Sequence, residues 1–185
     1  MSLTGKLLIS HPNCPKDSIF YKTVIYLYQD LLDNGSIGVI LNKPSEFTLQ
    51  HILADKKIEA GNRTVPLYHG GPVNTNALIL LHTNEWKSLN TAHASNGLCV
   101  SSDTFMLEKI ANKDEPKNWK LFGGLCGWAP GQLQAELEGK YPYRPENSWL
   151  IAEANLHFIF KVQTEKKWSK AIEMSRSQMF DQYFK

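Results

Sequence analysis

A glycine-rich stretch of the sequence has the residue types of a phosphate-binding turn. It reads GGLCGWAPGQLQAEL from Gly123 to Leu137, and a helix-like pattern follows Gly131. Backbone amides in such a turn can cradle a phosphate, but a P-loop has the pattern GxxxxGK followed by Ser or Thr. The stretch lacks both the lysine and the hydroxyl residue, and its glycines do not fit GxGxxG. The residue types therefore argue against a phosphate loop.

The helix after this stretch is expected to start at its proline. Pro130 suits the first helical position, which makes Ala129 an N-cap without a side-chain acceptor. The amides of Gly131 and Gln132 then need another partner, which is water, a neighbouring loop or a ligand. Docking of the helix end against the protein, with Trp128 as a packing anchor, is the favoured interpretation, and a bound ligand is the alternative.

A second glycine-proline turn, YHGGPV, spans Tyr68–Val73. Paired glycines permit unusual φ angles or a close approach of another backbone, so a strand-ending turn is favoured over an oxyanion-type site. Asp17 and Asn42 could supply polar groups near either turn. Asn42 could equally tie down the loop at Lys43–Pro44 by local hydrogen bonding.

The sequence contains no recognisable catalytic or metal-binding motif. Its six histidines are scattered without HxxxH, HxH or HExxH spacing, and no GxSxG elbow is present. Cys126 precedes Gly127 close to the expected helix start, where a helix dipole could lower the pKa of a thiol. A small, buried side chain in a tight turn is the favoured interpretation of Cys126. No catalytic residue, metal site or cofactor is predicted.

Composition narrows the classes of function. The chain has 185 residues and a net charge of +2, from 20 basic and 18 acidic residues, which is too balanced for a duplex-binding surface. The densest basic run, EKKWSK at Glu165–Lys170, is interpreted as a solvated helix face. Three cysteines without metal-type spacing favour a reducing, cytoplasmic environment. The start does not resemble a signal peptide, and no run approaches the ~20 apolar residues of a membrane span.

Periodicity predicts one α+β domain over residues 1–185, with a mixed, largely antiparallel sheet flanked by helices. Asn34-Gly35 predicts a hairpin. The strand NWKLFGG is expected to end at Gly124, and a C-terminal helix and tail are expected from about residue 164. The other predicted strands are Lys6–Ser10, Thr23–Gln29, Ile37–Asn42, two within 64–83, one around Cys99 and Ser148–Ala154; the other predicted helices begin at Thr48 and Asp103. In the helix after Asp103, the spacing predicts Phe105, Met106 and Ile110 on one stripe.

Four blocks in this order resemble the AlgH/YqgE family of bacterial proteins. They are GKLLISHP…NGSIGVILNKP at Gly5–Pro44, YHGGPV, GLCGWAPGQLQAEL and NSWL at Asn147–Leu150. The resemblance implies a compact α+β domain on a mixed sheet, a cytosolic location and the transcriptional-regulator label that family members carry. It transfers no catalytic mechanism. The matching positions that could line a cleft are Asn42, Gly70, Gly71, Pro72, Gly127, Trp128, Pro130, Gly131 and Gln132.

The chain also departs from the family pattern. The third block usually reads GYAGWGPGQLE in the family, whereas this chain differs at Leu125, Cys126, Ala129 and Gln134. Gln29-Asp30 stands where many relatives carry an acidic residue and a histidine, which argues against a general base there.

Two hypotheses of function follow. The first is a non-enzymatic, indirect transcriptional regulator that acts through an unidentified protein or small-molecule partner, without direct sequence-specific DNA binding and without membrane insertion. The second is an enzyme or ligand-binding module that uses a cleft between the YHGGPV and GWAPGQ turns. The second hypothesis requires both turns to border one concave pocket.

Overall fold

The structure is a computed structural model that describes residues 2–31, 33–59, 64–143 and 149–183. The strands in these ranges are β1 (Lys6–Ser10), β2 (Val24–Leu31), β3 (Gly35–Ile40), β4 (Pro44–Thr48), β5 (Pro66–His69), β6 (Val73–Thr83), β7 (Ala92–His93), β8 (Leu98–Ser101), β9 (Trp119–Trp128) and β10 (Trp149–Glu153). The α-helices are α1 (Leu49–Asp55), α2 (Thr104–Ala111), α3 (Gln132–Leu137), α4 (Leu156–Lys161) and α5 (Lys167–Tyr183). A 3-10 turn at Thr164–Lys166 leads into α5.

The strands form one ten-stranded sheet with the order β10-β1-β2-β3-β9-β6-β8-β7, and β4 and β5 branch from it. Strand β5 pairs with β4 and runs parallel to β9, whereas the other described pairs are antiparallel. The sheet is therefore mixed and largely antiparallel, as the sequence predicts. Strands dominate the fold more than expected, because the helices other than α5 have at most eight residues. No helix in the described ranges is long and apolar enough to cross a membrane.

Strand β9 corrects the prediction of a turn at the third block. The structure continues the strand to Trp128, four residues beyond its expected end. Its second half pairs with β3, where Ser36 lies opposite Trp128 and Gly38 opposite Cys126. Gly124 has φ +75° between the residues of β9 that pair with β5 and those that pair with β3, so the glycine bends the strand instead of ending it. Strand β9 thereby joins the two halves of the sheet.

Several local predictions are confirmed. The predicted hairpin is formed by β2 and β3, and Gly35, at φ +76°, begins β3 opposite Leu31. Helix α1 begins after Thr48, whose amide donates to Nδ1 of His51 at 3.0 Å. Helix α2 begins after Asp103, whose Oδ1 accepts from the amide of Met106 at 2.8 Å.

Three other expectations are wrong or incomplete. Helix α4 is absent from the prediction, although Asn155 caps it by accepting from the amide of Phe158 at 2.8 Å. Phe105 was expected on the buried stripe of α2, yet 44% of it is exposed, and Leu107 takes the buried position. Lys167 belongs to the run interpreted as a solvated face, but it is fully buried.

Alternation along β1 and β2 builds a core on each face of the sheet. Leu7, Ile9, Val24 and Tyr26 pack with residues of α4 and α5 on one face. Leu8, Ile25 and Leu27 point to the other face, where Leu133 of α3 and Trp149 cover them. Successive side chains of a strand alternate between faces, so a strand apolar at every position indicates burial on both sides. A third cluster packs α1 and α2 against β5, β6 and β9.

Candidate ligand-binding cleft

A cleft of about 560 Å³ opens where β1, β6 and β9 approach one another. The segment after β1 forms one wall, the start of β6 a second wall, and the end of β9 with α3 the third. The lining residues are Ser10, His11, Cys14, Pro15, Asp17, Ser18, Phe20, Pro72, Val73, Cys126, Gly127, Trp128, Gln132, Glu136, Tyr143 and Trp149. The YHGGPV and GWAPGQ segments thus border the same cavity.

The YHGGPV turn crosses directly over β9. The amide of Gly70 donates to the carbonyl of Gly123 at 2.8 Å, and the carbonyl of Gly70 accepts from the amide of Ile40 at 2.9 Å. A Cβ on Gly70 would lie 2.1 Å from the carbonyl oxygen of Gly124, and one on Gly71 would lie 2.3 Å from the backbone of Leu125. The two glycines allow this close approach and do not themselves line the cleft. They deliver Pro72 and Val73 to its wall.

The corner between β9 and α3 differs from the predicted helix start. Helix α3 begins at Gln132, and its N-cap is Gly131 at φ +76°, so Ala129 and Pro130 lie before the helix. The amide of Gln132 donates to the carbonyl of Ala129 at 2.9 Å. Oε1 of Gln132 accepts from the amide of Ala129 at 3.0 Å. The prediction of Ala129 as N-cap is wrong, because the left-handed conformation of Gly131 closes a turn before the helix starts.

Glu136 binds three side chains of the cleft wall. Its Oε2 accepts from the indole nitrogens of Trp128 at 3.0 Å and Trp149 at 2.9 Å, and its Oε1 accepts from Nε2 of Gln132 at 2.9 Å. The two indole rings meet edge to face, with centroids 6.2 Å apart and planes at 82°. Phe20 extends this aromatic wall, with its centroid 5.4 Å from that of Trp149. A carboxylate with three donors fixes the rotamers of its partners.

Sequence reasoning missed Glu136 and Trp149 as lining residues. Glu136 lies four residues after Gln132, and that spacing places both on one face of a helix. Trp149 follows residues 144–148, which lie outside the described residues and include Asn147 of the fourth block. Its position next to the cleft depends on the pairing of β10 with β1, where Ser10 lies opposite Trp149.

Asn42 supports the loop after β1 instead of lining the cleft. Its Oδ1 accepts from the amide of Val24 at 2.9 Å, and its Nδ2 donates to the carbonyl of Lys22 at 2.8 Å. The Nζ of Lys43 donates to the carbonyl of Tyr21 at 3.0 Å. Both side chains therefore anchor the end of the loop that carries His11 and Asp17 to the cleft wall. Both hydrogen bonds of Asn42 go to residues 18 and 20 positions earlier in the chain, whereas the sequence analysis considered a local bond to the loop at Lys43–Pro44.

Family membership is decided by the length of the match. The model of the AlgH-like family matches residues 7–179. The chain belongs to the AlgH-like family. It is 33% identical to a UPF0301 protein of Rickettsia felis over 174 residues, which cover 93% of this chain and 88% of that protein. It is 32% identical to a UPF0301 protein of Ruegeria pomeroyi over 178 residues, covering 94% and 92% of the two chains.

Two solved structures share the fold. The solution structure of AlgH from Pseudomonas aeruginosa superposes with a TM-score of 0.77 at 29% identity, covering 94% of this chain and 89% of that one. A crystal structure of a Corynebacterium diphtheriae protein superposes with a TM-score of 0.67 at 20% identity, covering 90% and 84%. At that lower identity the likeness extends to the fold alone.

Cys126 is a buried residue of strand β9. Burial raises the pKa of its thiol to about 12, and Sγ donates to the carbonyl of Gly70 at 3.5 Å. The helix dipole considered from the sequence does not act on it, because Cys126 lies in β9 and six residues before α3. A thiol with so high a pKa holds little thiolate at neutral pH and is a poor nucleophile. Within the described residues, no group of three or more His, Cys, Asp or Glu side chains is arranged to hold a metal ion.

Proposed function

We propose that this AlgH-like chain is a ligand-binding protein that holds a small molecule between its two glycine-proline segments. The supporting observation is that Pro72 and Val73 of one segment and Gly127, Trp128 and Gln132 of the other line a single cleft of about 560 Å³. That volume lies within the range of about 300–1,000 Å³ that is typical of small-molecule sites. Two segments more than fifty residues apart build one concave surface.

The walls favour a ligand with an apolar, planar portion. Phe20, Trp149 and Trp128 form a row of edge-to-face rings along one side. Aromatic rings in such sites contribute apolar contact area at a low cost in conformational entropy. The three bonds to Glu136 keep this wall rigid, which lowers the cost of ordering it when a ligand binds.

The charge of the lining favours a ligand that is uncharged or cationic. Asp17 and Glu136 contribute carboxylates, and the described lining residues include neither lysine nor arginine. An anionic group would find neither a lysine nor an arginine partner among these side chains. The cleft is therefore poorly suited to the phosphate that the glycine-rich sequence first suggests.

Binding without chemistry fits two of the nucleophilic residues that border the cleft, Ser10 and Cys126. The hydroxyl of Ser10 accepts from the amide of Thr23 at 2.9 Å and from Nε1 of Trp168 at 3.1 Å. Cys126 has the raised thiol pKa described above. Both groups thus have structural roles, which supports a binding module over an enzyme.

For the regulatory role that the family resemblance implies, we propose an indirect route. Ligand binding or a protein contact at the cleft rim would transmit the signal, and DNA would not be bound directly. Val73 lines the cleft and is 46% exposed, so an apolar side chain is available there to a protein partner. Tight, salt-sensitive binding of the purified chain to a defined promoter fragment would contradict this route.

The three free cysteines support a reducing, cytoplasmic location.

The experiment is a thermal-shift screen with neutral and cationic aromatic compounds, repeated on cleft-filling variants. A ligand of the folded state stabilises it by about 2.7 kcal/mol at a concentration of 100 Kd. Gly127 lines the cleft, and a Cβ there would be 3.8 Å from Cδ1 of Leu125, so a side chain fits without a clash. We expect Gly127→Ala to weaken binding slightly and Gly127→Val to abolish the shift.

The matched control is Gly123→Ala in the same strand. Its Cβ would be 3.7 Å from Cδ2 of Leu67 and lies outside the cleft lining, so ligand shifts should persist. The melting temperature of each free variant separates lost binding from lost folding. A compound that stabilises Gly127→Val as strongly as the unmodified chain binds elsewhere and would contradict the proposed site.

A further inference from the structure

A second cleft, of about 330 Å³, lies at the opposite end of β9 from the aromatic one. Three lysines from three separate segments border it: Lys117 before β9, Lys120 within β9, and Lys161 at the end of α4. The other lining residues are Thr64, Val65, Pro66, Tyr68, Glu115, Asn118, Trp119, Leu121 and Phe160. None of these residues lines the first cleft.

The local charge of this second cleft is positive. Glu115 is the one acidic residue among its described lining residues, against the three lysines. A fourth amine lies nearby: Lys167 is buried, and burial, with a smaller contribution from the positive charge of Lys120, lowers its pKa. Bringing like charges together costs free energy unless an anion joins them.

The side chain of Lys120 is held in place by Tyr68 and keeps N–H donors for a ligand. Its Nζ donates to the hydroxyl of Tyr68 at 2.8 Å and lies 4.0 Å from the centroid of that ring. An ammonium group has three N–H donors, so two remain for a ligand. The ring contact and the hydrogen bond fix the side chain, and little entropy remains to be lost when an anion binds.

The carbonyl end of α4 would ordinarily repel an anion beside Lys161. Here Nζ of Lys167 donates to the carbonyls of Phe158 and Ile159, the latter at 3.0 Å. These bonds satisfy carbonyls near the helix end from its buried side. The buried amine thereby offsets the negative end of the helix where Lys161 borders the cleft.

We propose that this lysine-lined cleft binds the phosphate group of a small molecule, with Lys117, Lys120 and Lys161 as its cationic partners. Flexible ammonium groups recognise phosphate as point charges. Trp119 and Phe160 border the same cleft and give an organic portion of the ligand ring surfaces to contact. A recess of about 330 Å³ lies within the range of about 300–1,000 Å³ that is typical of small-molecule sites.

The test uses inorganic phosphate, adenosine 5′-monophosphate and adenosine as probes at pH 7 and constant ionic strength. Lysine side-chain NMR signals report where each probe binds, and calorimetry gives its affinity. We expect the signals of Lys117, Lys120 and Lys161 to shift with phosphate and with the monophosphate, but not with adenosine. Tighter binding of the monophosphate would assign the ligand as a phosphate ester, and equal binding would assign the free anion. An anion there also raises the pKa of Lys167, because it offsets the charge of Lys120.

Variants that each remove one positive charge test whether phosphate binds in this cleft. Lys117 and Lys161 are exposed, so Lys117→Gln and Lys161→Gln should fold normally. Each should weaken binding about tenfold, since a hydrogen bond to a charged group contributes roughly that factor. Lys170→Gln on an exposed face of α5 removes the same charge and should leave affinity unchanged. Equal weakening by all three variants would overturn the proposal, as would the absence of phosphate-dependent shifts at the cleft. Gly127→Val should leave phosphate binding intact, because it alters the other cleft.

Discussion

The indole nitrogens of Trp128 and Trp149 donate to the same oxygen, Oε2 of Glu136, at 3.0 and 2.9 Å. Trp128 ends β9, whereas Trp149 begins β10 at the edge of the sheet. One carboxylate of a six-residue helix thus links the strand that joins the two sheet halves to the edge strand. The cleft wall depends on this link.

Glu136→Ala is expected to destabilise the fold. It leaves two indole donors without their acceptor, and Trp128 and Trp149 are only 6% and 8% exposed. An unsatisfied buried donor costs about 1–3 kcal/mol, so we expect a loss of about 3 kcal/mol in the free energy of unfolding, measured by urea titration. Glu138→Ala, at the C-cap of α3, removes an exposed ion pair with Lys140 and should have far less effect. Equal losses for the two variants would show that the indole bonds contribute no stability.

The sequence predicts elements whose signals are local. Thr48 and Asp103 mark the starts of α1 and α2 because a short polar side chain can satisfy amides at a helix start. Strand β9 is different, since its glycines predict a turn until its partners are known. Its continuation to Trp128 depends on pairing with β3, about ninety residues earlier in the chain, which no local periodicity encodes.

The sites show the same division between local and long-range information. The sequence predicts that the two glycine-proline segments could border one cleft, but not that Glu136 and Trp149 complete the wall between them. Helical spacing could have predicted the burial of Lys167, because it lies four residues before Ala171 and eight before Ser175, which are both buried on one helix face. The carbonyls that accept from Lys167 belong to α4, a helix that the sequence does not predict.

Thiol reactivity should separate Cys14 from the other two cysteines. Cys99 and Cys126 are buried, and burial raises the pKa of both thiols, to about 12 for Cys126. Cys14 is partly exposed in the loop after β1. We expect Ellman's reagent to modify one thiol in the native protein at pH 7.5 and three in denaturant. Cys14→Ser should abolish the native reaction, and a fast thiol that survives in this variant would contradict the buried positions.

Gly71→Ala should destabilise the fold far more than Gly97→Ala. Both glycines have positive φ, +155° and +75°, so an alanine is strained at either position. A Cβ at Gly71 would also lie 2.3 Å from the backbone of Leu125, whereas one at Gly97 meets nothing within 4 Å. Left-handed strain costs about 1–2 kcal/mol, and overpacking adds about 1–3 kcal/mol. Urea unfolding should show a loss of about 1–2 kcal/mol for Gly97→Ala and about 2–5 kcal/mol for Gly71→Ala. Similar losses would mean that the turn moves away from β9 without cost.

Lys167 should make stability rise with pH above neutrality. Burial, with a smaller contribution from the charge of Lys120, lowers the pKa of Lys167 in the folded state to about 7, whereas the unfolded chain keeps the ordinary value of 10.5. Between these values the unfolded state binds more protons, so the free energy of unfolding increases with pH. We expect a rise of up to about 1.4 kcal/mol per pH unit above pH 7, the limit for one proton.

The interval from pH 7 to 8 reports chiefly this contribution of Lys167. From about pH 8 the unfolded chain begins to release the thiol protons of Cys99 and Cys126, and because burial raises the pKa of both thiols in the folded state, their ionisation makes stability fall again. Tyr26 and Tyr28 act in the same direction above pH 10, because burial raises their pKa values too. Urea unfolding at half-unit steps should give a rising curve for the unmodified chain and a flatter one for Lys167→Met, which replaces the amine by an apolar side chain of similar length. Lys170→Met, on the exposed face of α5, should keep the rise. A rise that persists in Lys167→Met would assign the pH dependence to another group.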